Sequence, residues 1–108
     1  MAEHLLGIDF EYDIKTGKVT SLSTNVKREK VVELLTDFIR DQMGRGVDAS
    51  SPHEKDVYSI KIRVDLTDDH FTAQSDCGKL GLRDGIIMDA IRQLEAGDWP
   101  PEKVGENG

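Results

Sequence analysis

Ile8-Asp-Phe-Glu-Tyr-Asp-Ile-Lys-Thr-Gly-Lys18 decides the fold, because it can be taken as a calcium loop or as one strand of a hairpin whose outer side is acidic. A calcium loop starting at Asp9 needs glycine at its sixth position and a bidentate glutamate at its twelfth. Those positions hold Ile14 and Thr20. An extended chain would also space Asp9, Glu11 and Asp13 roughly 7 Å apart along one side instead of converging them on an ion. The stretch is therefore a strand, and its acids are a solvated or salt-bridged face.

The strand reading extends outward in both directions. From His4 to Ile14, Leu6, Ile8, Phe10, Tyr12 and Ile14 fall on one face and Gly7, Asp9, Glu11 and Asp13 on the other, the period-two pattern of a half-buried strand. Lys15-Thr-Gly-Lys18 suits a tight turn, since glycine accepts the positive φ such turns use. Val19 is then expected opposite Ile14, opening a second strand that runs to about Ser23. Thr24 or Asn25 is expected to cap a helix whose apolar positions Val31, Leu34, Leu35, Phe38, Ile39 and Met43 recur at three- and four-residue spacing. Gly44 or Gly46 would end it, and 44–55 reads as a surface loop.

The same order then recurs. Tyr58, Ile60, Ile62, Val64 and Leu66 alternate with polar residues, Thr67-Asp-Asp-His70 makes a turn, and Phe71, Ala73 and Ser75 continue inward. A second helix is expected over Leu82 to Ala96, ended by Gly97, with 98–108 a flexible tail. A gapless offset of 52 residues aligns the halves 4–43 and 57–96: Ile8 with Ile60, Asp13 with Asp65, Asp37 with Asp89, Arg40 with Arg92. Tandem duplication and shared amphipathic patterning both produce such an alignment. If a local two-fold relates the halves, their first strands pair antiparallel at the sheet centre and set Asp9 and Glu11 against Lys61 and Arg63. The expected fold is α+β, a two-layer sandwich of ββα-ββα order within a single domain, 1–97. One four-stranded antiparallel sheet, order 2-1-3-4, carries both helices on one face and leaves the other open.

Composition narrows the function classes. Hydrophobic residues at 37% and charged residues at 32% describe an ordinary soluble chain, and the net charge of −7 is spread over both halves without a basic tract. Phosphate-backbone binding draws on clustered Lys and Arg, so nucleic acid is a disfavoured partner. Cys77 stands alone, which excludes an intramolecular disulfide and a cysteine-rich metal framework and suits a reducing cytoplasm. No basic start followed by an apolar run opens the sequence and no 18 apolar residues occur together, so neither export nor membrane insertion is expected.

Four places could carry function. Ser75 to Gly85 leads from strand to helix through glycines and a lysine, so Cys77, Gly78, Lys79, Gly81 and Arg83 could form an anion or nucleotide site at a helix N-terminus, with the thiol acidified. Neither phosphate-binding glycine fingerprint is present there. The open sheet face is expected to carry Ser59, Lys61, Arg63, Thr72, Gln74, Lys18, Thr20 and Leu22. It lacks the exposed aromatics on which RNA-binding sheets stack bases, since Phe10, Tyr12, Tyr58 and Phe71 point inward. Trp99 would either fold back onto the helices or anchor a partner. The edge strand 18–23 could accept another strand. His4, His53 and His70 have no zinc-ligand spacing. The leading expectation is a protein-interaction or assembly module, bound to a protein partner or to a second copy of itself, without catalysis, metal or cofactor. An interaction surface at Lys61, Arg63, Gln74 and Trp99 goes with it. The anion or nucleotide binder is the alternative.

Overall fold

The computed structural model describes residues 5–46 and 55–100. His4, His53, most of the 44–55 loop and the tail from 101 onward lie outside the described residues. The chain runs β1 Leu5–Asp13, β2 Lys18–Thr24, α1 Arg28–Gln42, β3 Val57–Asp65, β4 His70–Ser75 and α2 Leu80–Glu95. The strands form one antiparallel sheet in the order β2-β1-β3-β4, and both helices cover its apolar face. Ile8, Phe10, Tyr12, Ile60, Ile62 and Val64 from the sheet meet Val31, Leu35, Phe38, Ile86, Ile87 and Ala90 from the helices in one continuous core. No helix among the described residues is long and apolar enough to cross a membrane.

The 52-residue offset carries into the backbone. β1 and β3 have bounds 52 apart, and their register closes on itself: Leu5 faces Asp65, Val57 faces Asp13, and Asp9 faces its own counterpart Lys61 at the centre. A local two-fold therefore passes between Asp9 and Lys61. Acid meets base there, with Arg63 Nη1 donating to Asp9 Oδ1 at 2.6 Å. Each hairpin turn opens the same way: Lys15 N donates to Asp13 Oδ1 at 2.8 Å, and Thr67 N to Asp65 Oδ1 at 2.9 Å. Each also contains one left-handed residue, Gly17 at φ 69° and Asp69 at φ 54°, and aspartate is among the few non-glycine residues that adopt this conformation readily.

The structure corrects the sequence expectations in several local places. Val19 faces Tyr12, not Ile14, and the pairing then skips from Val19 to Ser21, leaving Thr20 as a bulge. A one-residue shift reverses which side chains face the core. Leu22 thus turns inward opposite Phe10 and packs on the core instead of lying on the open face. Ile14 and Leu66 fall just beyond their strands and are 41% and 52% exposed.

Neither Thr24 nor Asn25 caps α1, whose N-cap is Lys27 without a side-chain hydrogen bond. Their side chains are occupied by β1: Thr24 Oγ1 donates to Gly7 O at 2.6 Å, while Asn25 accepts from Gly7 N at 2.9 Å and donates to Leu5 O at 3.2 Å. α2 starts at Leu80, two residues earlier than expected. Of the expected loose tail, Asp98 reaches Lys18 at 3.2 Å and Trp99 packs on the core beneath Arg28.

Candidate functional site

The turn between β4 and α2 places Cys77 and Gly78 before the helix, Lys79 at its N-cap, and Gly81 and Arg83 in its first turn. Cys77 is half-buried, and burial pushes its thiol up from the ordinary cysteine value, which favours the protonated and weakly nucleophilic form. Asp76 ties the turn to the sheet, accepting from Ser59 N at 2.9 Å and pairing with Lys55 at 2.6 Å. A Cβ added at Gly81 or Gly85 meets nothing within 4 Å, so neither glycine is required by a close internal approach.

Arg83 points into the protein. It is 9% exposed and Asp84 is 4% exposed. The guanidinium pairs with Asp84 at 2.8 Å, donates to Gln42 O at 3.3 Å, and lies 5.4 Å from the centre of the Phe38 ring. Asp84 Oδ2 accepts from Gly44 N at 2.7 Å. A helix end leaves carbonyls without intrahelical partners, and this pair on α2 holds the chain leaving α1 by one such carbonyl and a following amide. Arg83, expected with Cys77, Gly78, Lys79 and Gly81 in an anion site, is thus held inward by Asp84, a residue that no sequence pattern singled out.

At the other end of α2, the Tyr12 hydroxyl donates to Asp89 Oδ2, Arg92 pairs with Asp89 at 2.5 Å, and Gln93 Nε2 donates to Asp89 at 3.0 Å. Gln93 also bridges the bulged hairpin, donating to Gly17 O at 2.6 Å and accepting from Val19 N at 3.0 Å. Burial and the bond to Asp89 push Tyr12 up to about 12. Burial alone would raise Asp89, but the bonds from Tyr12, Arg92 and Gln93 and the charge of Arg92 bring it below the usual carboxylate value. The matched pairs Asp37/Asp89 and Arg40/Arg92 were the visible signal of this site, and the Tyr12/Val64 mismatch marks where the halves differ.

The two titrations set opposite limits on stability. A raised tyrosine contributes stability that is complete below the unfolded value near 10 and is lost as pH rises toward 12. A lowered aspartate contributes stability above its unfolded value near 4 that is lost in acid. Tyr12→Phe is expected to lower stability at pH 7 by about 1.5 kcal/mol, the scale of a hydrogen bond to a charged acceptor. The same change should flatten the loss between pH 10 and 12, read by urea unfolding across that range.

On the open sheet face Lys61 faces Gln74 and Arg63 faces Thr72, so Lys61, Arg63 and Gln74 come together. Trp99 lies with the helices, on the other layer. Among the described residues no three His, Cys, Asp or Glu side chains gather as a metal site.

The outward face of α2 separates the halves most clearly. It exposes Gly81, Leu82 and Met88, with Gly85 half-buried beside them, and Leu82 and Met88 are 36% and 38% exposed. The 52-offset positions on α1 are Glu29, Lys30, Thr36 and Glu33. One helix thus carries three charged side chains and a threonine where its counterpart carries two glycines, a leucine and a methionine. The chain matches no family model, and neither a curated protein nor a solved structure is significantly similar to it.

Proposed function

We propose that this protein is a small cytoplasmic assembly module without catalytic activity, which self-associates by packing the outer face of α2 against α2 of a second copy. The contrast between the two helices carries this reading. Glu29, Lys30, Glu33 and Thr36 on α1 are what the fold accepts at these surface positions, so Gly81, Leu82, Gly85 and Met88 on α2 answer a demand other than folding. Glycines four residues apart let a second helix approach closely, and Leu82 and Met88 flank them to give apolar area at the contact.

The test transplants the α1 residues. Leu82→Lys with Met88→Thr should keep the circular dichroism spectrum and weaken a wild-type dimer at least ~100-fold in sedimentation equilibrium, since a two-fold contact loses each side chain twice. A wild-type chain that stays monomeric at high concentration and raised salt, where the repulsion between two copies of net charge −7 is screened, would overturn the proposal. Gly85→Ala supplies a readout of opposite sign. It should stabilise the fold by about 0.5–1 kcal/mol, because alanine is the better helix residue and has room there, while weakening the dimer by holding the helices apart.

A further inference from the structure

The two outer strands of the sheet, β2 and β4, are related by the local two-fold but are not protected alike. An edge strand leaves the backbone N–H and C=O of every second residue facing outward. On the β2 side the Gln93 side chain takes up two such groups, donating to Gly17 O just before the strand and accepting from Val19 N. The bulge at Thr20 and the Lys18–Asp98 pair interrupt the same edge. At the 52-residue offset Gln93 becomes Asp41, and Gly17 and Val19 become Asp69 and Phe71. A carboxylate has no proton to give a carbonyl, and Asp41 already accepts from Gln42 at 2.6 Å. Among the described residues no side chain binds the Phe71 amide. The β4 edge is also without a bulge from His70 to Ser75 and contains no Lys, Arg, Asp, Glu, Gly or Pro. Natural edges are blunted by such residues, and this one is left open in a chain of which 32% is charged. Its free groups follow from Asp76, whose N–H donates to Ser59 O at 3.4 Å. Backbone groups alternate along a strand, so Thr72 and Gln74 also face β3, and Phe71 and Ala73 face the free edge.

We infer that β4 pairs antiparallel with β4 of a second copy, with Thr72 on the two-fold axis, so that the two sheets join into one. The strand's self-complementarity selects a second copy as the occupant. Keeping both apolar faces on one side requires like-facing residues to stand opposite each other. With Thr72 opposite itself, Phe71 meets the partner's Ala73, and both have their backbone groups turned outward. Ala73 is on the helix side beside the fully buried Ile62, yet it is itself exposed, and the partner's Phe71 would cover it. A ring beside a methyl, repeated about the axis, and a threonine pair on the open face are favourable cross-strand neighbours. The contact is small, which sets its Kd at about 0.1–0.5 mM, well above the concentrations at which sedimentation reads the α2 contact. It goes beyond that contact and does not rest on it, since α2 packs toward β2 at the opposite edge. Together the two contacts would extend a dimer into a longer assembly.

The test is amide hydrogen exchange of the full chain carrying Leu82→Lys/Met88→Thr, which removes the α2 contact, at rising protein concentration in raised salt. Between ~0.05 and ~3 mM, exchange at Phe71 and Ala73 should slow at least ~3-fold as free edge amides become paired. Thr72 and Gln74, already bonded to β3, should change far less. Ala73→Pro removes only an outward N–H, which an edge strand tolerates, and should abolish the concentration dependence at Phe71. Ala73→Lys, at an exposed position, should do the same by placing a charge at the seam, and it keeps the test decisive if proline disturbs the strand. Constant rates at Phe71 and Ala73, which would leave the edge to a strand of another protein or to solvent, would overturn the inference. So would slowing that follows β2 instead, or that survives Ala73→Lys. Ala73→Lys in the otherwise unchanged chain should still form the α2 dimer, so failure of either contact is read separately.

Discussion

Phe38→Ala is expected to cost about 4 kcal/mol, enough to bring a domain with ~5–15 kcal/mol of total stability close to unfolding. Phe38 is 1% exposed and is one of the largest fully buried side chains. It joins the two halves: one edge meets Phe71 of β4, and the guanidinium of Arg83 from α2 stands over its ring. Truncation removes the apolar area, leaves a cavity that rigid neighbours on three elements cannot fill, and strips Arg83 of its aromatic partner. Urea unfolding should show the midpoint falling by ~2 M or more with little change in slope. Phe71→Ala is the control. Phe71 sits on an edge strand and is only half-buried, so its loss should cost about half as much. Equal costs for the two would show that the ring at 38 is not the junction of the core.

The strands were legible in the sequence because a half-buried strand needs an apolar residue at every second position, and Ile8, Phe10, Tyr12 and Ile60, Ile62, Val64 supply it without interruption. The offset added the sheet order, since only antiparallel pairing of β1 with β3 places like residues about a local two-fold. Thr20 could not be read in this way. Its bulge follows directly on backbone that Gln93, 74 residues beyond Val19, holds at Gly17 and Val19. Thr24 and Asn25 are good helix caps by residue type, but the first residues of β1, which run past the end of β2, compete for the same side chains and win. The apolar face of α2 was hidden for a different reason. Gly81 looked like part of an anion-binding turn before the helix, and the structure places it within the helix one turn from Gly85, with open space where either Cβ would project.

Asp84→Ala is expected to cost about 3–4 kcal/mol, the scale for breaking one side of a buried ion pair, and more than any surface pair in the protein. The substitution leaves the Arg83 guanidinium buried without its carboxylate and removes the acceptor of the Gly44 amide at once. Arg83→Ala should cost a similar amount, through the stranded carboxylate and the lost packing on Phe38. The double change Arg83→Val/Asp84→Val should cost less than either single change. At the same two positions of the other half, α1 carries Val31 and Val32, the first fully buried and the second packed against the core. Replacing both charges by apolar side chains removes the desolvation penalty along with the attraction, so the pair contributes little net stability although each member depends on the other. What the double variant should lose is the hold on the chain leaving α1. Amide exchange at residues 42–46 should quicken selectively, while exchange in β1 and β3 slows or stays as it was. A double variant that costs as much as either single change would instead make the ion pair a net contributor to the fold.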